Sequence, residues 1–188
     1  MNVLTPRLHV RDLLGEDWRA LHSLRIDPLV HRFNHFGPES ESETRTWVRE
    51  TMESNASTPR LAHNCAIVLR ATGEVIGWIG FGTPSAGKEQ YGEIDFGYAL
   101  RPADWGHGYT TEALKAMIGF IFAELPVQRI FGECNVANPA SARVMEKAGM
   151  IRTAHFIDPE EREPVRAESY RYAIDRGAWE ARTRTATG

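Results

Sequence analysis

The 188-residue chain lacks most of the features that commit a protein to a special environment. It has two cysteines, Cys65 and Cys134, far apart and outside any C-x-x-C pair. They read as two buried thiols of a reducing compartment rather than as a disulfide. No window reaches the apolar length of a membrane span, and the opening MNVLTPRLHV has no apolar core of a signal peptide, so no membrane association and a cytoplasmic location are expected. Positive charge is not in excess: 22 Lys and Arg against 25 Asp and Glu leave a formal net charge of -3. That balance gives no electrostatic reason to expect DNA or RNA as a partner. It leaves room for a smaller anion, because a helix start supplies local positive potential even on an acidic protein. Neither G-x-x-x-x-G-K-[ST] nor G-x-G-x-x-G is completed around Gly106 and Gly108. No serine or cysteine stands in a G-x-S-x-G or Cys/His setting, so a covalent nucleophile is not expected.

What is present is ordinary globular composition, 42% hydrophobic and 25% charged, enough for one domain over 1–182 followed by a frayed tail at 183–188. Residues 4–10 read as a first strand, and Trp18, Leu21 and Leu24 mark a helix that Asp27-Pro28 interrupts. A further helix over 42–54 follows a Gly37-Pro38 loop. The period then changes. CAIVLR (65–70), EVIGWIGFG (74–82) and GEIDFGYAL (92–100) read as an antiparallel meander, with 85–90 a polar turn. Leu114, Met117, Ile118, Ile121, Phe122 and Leu125 form a helical stripe that ends at Pro126. RIFGECNV (129–136) is the next strand. Asn138-Pro139 is an N-cap and N1 pair opening a helix that closes near Lys147 and Gly149. Two more strands are expected at 150–157 and 166–174, joined by the polar loop DPEEREP.

His31, Phe33, Asn34, His35 and Phe36 form an aromatic and polar cluster ahead of that loop. Its histidines raise zinc, but no Cys or carboxylate completes a ligand set at metal spacing. A pocket wall is the better reading, and no metal is expected. Trp105 is expected to pack beneath the glycine loop.

Three signals stand in fixed order: EIDFGYALRP, then WGHGYTTEA, then NPASARVMEKAGM after the next strand. Together they resemble the GNAT family of acyl-CoA-dependent N-acyltransferases. TPRLHVRDL and DPLVHRF resemble the opening of its RimJ/RimL-type branch, which acetylates the N-termini of ribosomal proteins. The resemblance, over roughly 4–174, implies an α/β fold with a central, largely antiparallel twisted sheet of about seven strands. A strand pair splayed at a bulge would form the cofactor cleft. It implies acetyl-CoA as co-substrate and an amine as acceptor, with a homodimer left open. The loop Trp105-Gly106-His107-Gly108-Tyr109-Thr110, with Thr111, would hold the pyrophosphate through backbone N–H groups at a helix start, where glycine removes an obstructing Cβ. The backbone of Tyr98, Ala99 and Leu100 would take the pantetheine arm as an added strand, and Asn138 would face the cofactor.

Ser141, Val144, Met145 and Ala148 share one helical face, so the hydroxyl lies on an apolar stripe and needs a partner. That partner is either the capping region or the thioester sulfur, to whose departing thiolate Ser141 would return a proton. Many relatives carry a tyrosine acid where this chain has Met145, which cannot give one. Asp95, with Glu93 on the same strand face, is the candidate base, directly or through water; either carboxylate could instead only order nearby backbone. The expected reaction is direct acetyl transfer to a primary amine, a protein N-terminus or a small molecule. A different acyl group such as succinyl, a non-catalytic acyl-CoA sensor, and a nucleic-acid-binding domain (disfavoured by charge) are the alternatives.

Overall fold

The structure, a computed structural model, describes residues 1–34, 39–60, 62–82, 92–157 and 168–186. Eight strands form one sheet: β1 (Asn2–Leu4), β2 (Leu8–Asp12), β3 (Ala62–Leu69), β4 (Val75–Gly82), β5 (Glu93–Leu100), β6 (Arg129–Asn135), β7 (Ile151–Ile157) and β8 (Glu168–Asp175). Their order in space is β1-β2-β3-β4-β5-β6-β8-β7, antiparallel throughout except for the parallel pair β5 and β6. The helices among the described residues are α1 (Trp18–Arg25), α2 (Pro28–His31), α3 (Glu41–Ala56), α4 (Tyr109–Glu124), α5 (Pro139–Lys147) and α6 (Arg176–Ala186). None is long and apolar enough to cross a membrane. The expected 85–90 turn and the whole DPEEREP loop lie outside the described residues.

The α4 stripe is the centre of the core. Leu114, Met117, Ile118 and Ile121 are buried against Leu8, Ile67, Ile79 and Ile130 of the sheet. Each such side chain contributes roughly 1.5–3 kcal/mol over an exposed one. That packing fixes α4, and with it the loop at its start, relative to β5. At the other end of α4 the Arg176 guanidinium donates to the carbonyls of Phe122, Leu125 and Val127 at 2.6, 2.6 and 2.9 Å. A cation on the last carbonyls of a helix satisfies both their hydrogen bonds and the macrodipole.

Two elements differ from the sequence reading. The expected first strand is a hairpin, because Pro6 has no N–H for a ladder and Thr5 turns the chain: Thr5 N donates to Leu8 O and Leu8 N to Thr5 Oγ1, both at 2.9 Å. The sheet therefore has eight strands rather than seven. Of the expected frayed tail at 183–188, residues 183–186 continue α6, which runs to Ala186, and 187–188 lie outside the described residues. Trp179 packs on the Phe122 ring at 5.3 Å, and Arg182 bonds the Gly149 carbonyl.

The pair β5 and β6 stays in register only through Glu93↔Arg129, Ile94↔Ile130 and Asp95↔Phe131. Beyond this β5 follows β4 to Leu100, while β6 follows β8 to Asn135. The resemblance implied a bulge at the splay, yet the β4–β5 register is unbroken from Asp95 to Leu100. The wedge is a side chain: the Phe96 ring lies over Gly132, where any Cβ would overlap it. The strands part at the first residue that has to pass that ring.

Candidate active site

The splay opens a cleft made of two adjoining cavities, about 340 and 370 Å³. Phe33, Asn34, Tyr98, Asn138 and Ser141 line both, so they mark the junction. The second cavity runs past Ala99, Leu100, Trp105, Gly106 and Thr110 to the start of α4. Along it the β6-facing edge of β5 has no strand partner after Asp95 among the described residues. The first cavity extends the other way, past Asp95, Phe131, Cys134 and Phe156.

Gly106 and Gly108 both have φ of +79°, a left-handed backbone that strains ordinary side chains. A Cβ on Gly106 would meet nothing within 4 Å. The backbone conformation, not crowding by the protein, therefore favours glycine there. The loop is braced from three sides. Arg101 pairs with Asp104 and, at 3.1 Å, with Glu74. Trp105 Nε1 donates to the Leu100 carbonyl at 2.8 Å. Arg7 donates to the His107 carbonyl at 2.9 Å, pairs with Glu112 at 2.7 Å and lies over the Tyr109 ring at 4.6 Å. Burial opposes the Glu112 charge, but bonds from Thr5 and Arg7 outweigh it and lower its pKa. Trp105 is not packed beneath the loop: it is 47% exposed and forms cavity wall, because its N–H is tied back to β5. The side chains of His107, Tyr109 and Thr111 are not among the lining, and His107 is instead exposed and stacked on Tyr109 at 5.6 Å.

On the far side, Asn138 caps α5, accepting from Ser141 N at 3.2 Å. Asn135 fixes the turn before it, accepting from Ala137 N at 2.7 Å and donating to the Glu168 carbonyl at 3.0 Å. The Ser141 hydroxyl does not bond back to this capping region. It faces across the cleft to Tyr98 Oη at 2.8 Å. Met145, only 1% exposed, lines the first cavity and offers no proton. Cys134 lines the same wall, but burial pushes its thiol up to about 11 despite a bond from Ser141 that works the other way. It stays protonated at neutral pH and is a poor nucleophile.

The two candidate carboxylates are separated. Asp95 lines the first cavity; its side chain is exposed overall, and partial desolvation by the cleft wall raises its pKa, opposed by its own backbone N–H and aided by the nearby Glu133 charge. Glu93 lies where β5 is still paired, opposite Arg129, and lines a different, shallow surface pocket with Arg129 and Asp175. The expectation that it could act at the acyl centre is corrected by that placement, since Glu93 does not line the cleft. Of the 31–36 cluster, Phe33 and Asn34 reach the cleft and His31 does not; His35 and Phe36 lie outside the described residues. Arg7, Phe131 and Phe156 went unnoticed in the sequence because each is distant in the chain and carries no motif.

This cleft, on a mixed α/β fold with one parallel strand pair splayed open, belongs to a recognisable class. The model of the acetyltransferase (GNAT) domain matches residues 7–151. The chain is a member of the GNAT family and an acyl-CoA-dependent N-acetyltransferase. It is 28% identical over 181 residues to an uncharacterised N-acetyltransferase of Bacillus subtilis, YnaD, covering 95% of this chain and 99% of that one. It is 29% identical over 189 residues to the FsC-acetyl coenzyme A-N(2)-transacetylase of Aspergillus fumigatus, covering 93% and 78%. A GNAT-family acetyltransferase structure from Bacillus anthracis superposes with a TM-score of 0.80 at 27% identity, covering 94% of this chain and 99% of that one.

Proposed function

We propose that the chain acetylates an α-type primary amine, at a peptide N-terminus as in the RimJ/RimL-type branch or on a small molecule, using acetyl-CoA in a ternary complex. The observation that carries this is the junction at Ser141, where a long cavity ending at a glycine-bearing helix start meets a shorter one holding a carboxylate. The residues present fit the co-substrate. The 16-residue helix α4 aims its N–H groups and positive dipole end at the second cavity, suited to the pyrophosphate. The open edge of β5 suits the pantetheine amides, as in strand addition.

Bound acetyl-CoA supplies a thioester, whose carbon forms a bond to the amine nitrogen as its bond to sulfur breaks. The acceptor ammonium gives up two protons in all; one ends on the CoA thiol and one in solvent. Asp95, through water, takes protons from the acceptor, and its raised pKa makes it a better base than an ordinary aspartate. An α-amine, with a pKa near 8 against about 10.4 for lysine, asks less of so weak a base. Ser141 Oγ supplies the proton to the departing sulfur, the part Met145 cannot play. The poor nucleophilicity of Cys134 favours direct attack over an acyl-enzyme. The N(2) acceptor in the name of the Aspergillus relative is also consistent with an α-type nitrogen.

The test is thiol release from acetyl-CoA in the presence of N-terminal peptides, small α-amines and ε-amines, with the product nitrogen located by mass spectrometry. Amine-dependent release favouring α-amines is expected. Binding of acetyl-CoA without release by any amine would instead support a sensor.

A further inference from the structure

The side chain of Tyr98 has no part in the reading above, although its hydroxyl sits at the junction of both cavities. Tyr98 Oη is 2.8 Å from Ser141 Oγ and 3.3 Å from the Ser141 carbonyl. Tyr98 comes from β5 and Ser141 from the first turn of α5, so the contact bridges the two sides of the splay. A serine hydroxyl carries one proton, and where it points decides whether it can serve as a donor. If it points to Tyr98 it is spent; if Tyr98 donates instead, the Ser141 proton is left for Cys134 Sγ, a weak acceptor on the same wall, or for a better acceptor entering the cleft.

Two facts select the second arrangement. The Tyr98 hydroxyl also reaches the Ser141 carbonyl, but at 3.3 Å against 2.8 Å to Oγ, so Oγ is the nearer acceptor. Burial, the leading influence on the Tyr98 hydroxyl, raises its pKa well above the ordinary tyrosine value, so it keeps its proton and acts as a fixed hydrogen-bond donor. The Phe96 ring, stacked on Tyr98 at 6.0 Å and wedged over Gly132, holds the phenol in place.

We infer that Tyr98 is a positioning residue for acetyl transfer: its hydroxyl donates to Ser141 Oγ, turns the Ser141 proton toward the thioester sulfur, and steadies the oxygen as that proton leaves. The inference rests on the reading of Ser141 as proton donor. In the step, Ser141 O–H passes its proton to sulfur, which holds the electron pair of the broken C–S bond. Ser141 Oγ regains, through cleft water, one of the two protons that the acceptor ammonium releases, the other leaves to solvent, and Tyr98 stays protonated throughout.

The experiment is a double-mutant cycle of Tyr98→Phe, Ser141→Ala and both, with kcat, KM for acetyl-CoA and for the amine, CoA affinity and thermal melting measured for each. Tyr98→Phe should lower kcat roughly ten- to hundredfold, the range for one lost hydrogen bond to a group gaining charge, with KM for acetyl-CoA little changed. The double variant should be no slower than Ser141→Ala alone, as for residues acting as a unit. A slow Ser141→Ala with a normal Tyr98→Phe overturns the role of Tyr98 and leaves that of Ser141. Losses that multiply in the double variant also overturn it, since the two residues would then act separately. A normal kcat for Ser141→Ala removes the proton-donor reading and the inference with it. A Tyr98→Phe effect confined to melting temperature and KM would assign Tyr98 a structural role and end the proposal.

Discussion

Gly132→Ala is the sharpest perturbation of the cleft, because one methyl group lands on the wedge that opens it. The added Cβ would overlap the Phe96 ring. Stacking on Tyr98 limits the retreat of Phe96, and the first cavity that it lines is the space into which it can move. Forcing an extra methyl into packed surroundings costs about 1–3 kcal/mol. At about 2–4 °C per kcal/mol for a chain of this size, Tm should fall by roughly 2–12 °C. The ring has one open direction, the first cavity, so KM for the amine should rise. The second cavity and its glycine loop are not touched, and calorimetric affinity for CoA should stay within about twofold, as for a distant site. Gly132→Ala combined with Phe96→Leu, which trims the obstructing ring, should recover part of the lost stability. An unchanged Tm with unchanged amine KM would refute the wedge. So would a loss of CoA affinity that spares the amine.

Three further outcomes follow from the site. Asp95→Asn should remove the acidic limb of the pH dependence of kcat/KM. That limb should lie above the ordinary aspartate value, because a raised pKa loses the basic form as pH falls through it. The same sign makes the charged Asp95 unfavourable to folding at neutral pH, so the asparagine variant should melt higher at pH 7, with the gain vanishing below the unfolded-state pKa. Arg7→Ala removes an exposed pair worth about 1 kcal/mol or less, so Tm should hold nearly constant. KM for acetyl-CoA should nonetheless rise, because Glu112 would be left uncompensated in the first turn of α4; steady-state kinetics with parallel melting separates the two. Cys134→Ser should keep most of its turnover, and the wild type should resist iodoacetamide at neutral pH, since the thiol titrates near 11.

Much of this cleft was legible in the chain because its parts are local. A glycine loop at a helix start, the Asn138 cap and the alternation of β5 are written in adjacent residues, and each appears where the spacing puts it; the left-handed backbone at Gly106 and Gly108 was not part of that reading. What was not legible depends on register or on distant partners. Glu93 and Asp95 look equivalent on one strand face, and only their distance along β5 from the splay separates them: Asp95 is the last paired residue and lines the first cavity, whereas Glu93 lines a different surface pocket. The hydroxyl of Ser141 called for a partner, but nothing near it in sequence pointed to Tyr98, 43 residues away. A bulge was expected at the splay, whereas the β4–β5 register is unbroken there and a ring on β5 lies over a glycine on β6 where the strands part. The C-terminal residues looked frayed because their composition is polar; Trp179 and Arg182 hold them through contacts to Phe122 and Gly149 that no local pattern shows.

The most direct measurement is calorimetric titration of acetyl-CoA into the wild type, Gly106→Asp and Gly106→Asn. Asp and Asn both tolerate the left-handed backbone better than other side chains, and at position 106 either would project into open space beside the second cavity. The pair therefore separates added charge from added bulk. A charge about 4 Å from a phosphate is worth roughly 4 kcal/mol at an effective dielectric of 20, before screening by salt. The expected result is micromolar-range binding by the wild type, weakened about a hundredfold, near 2.7 kcal/mol, by Asp and clearly less by Asn. Equal affinities in all three proteins, or no binding by a folded wild type, would contradict the assignment of this loop and cleft to acetyl-CoA.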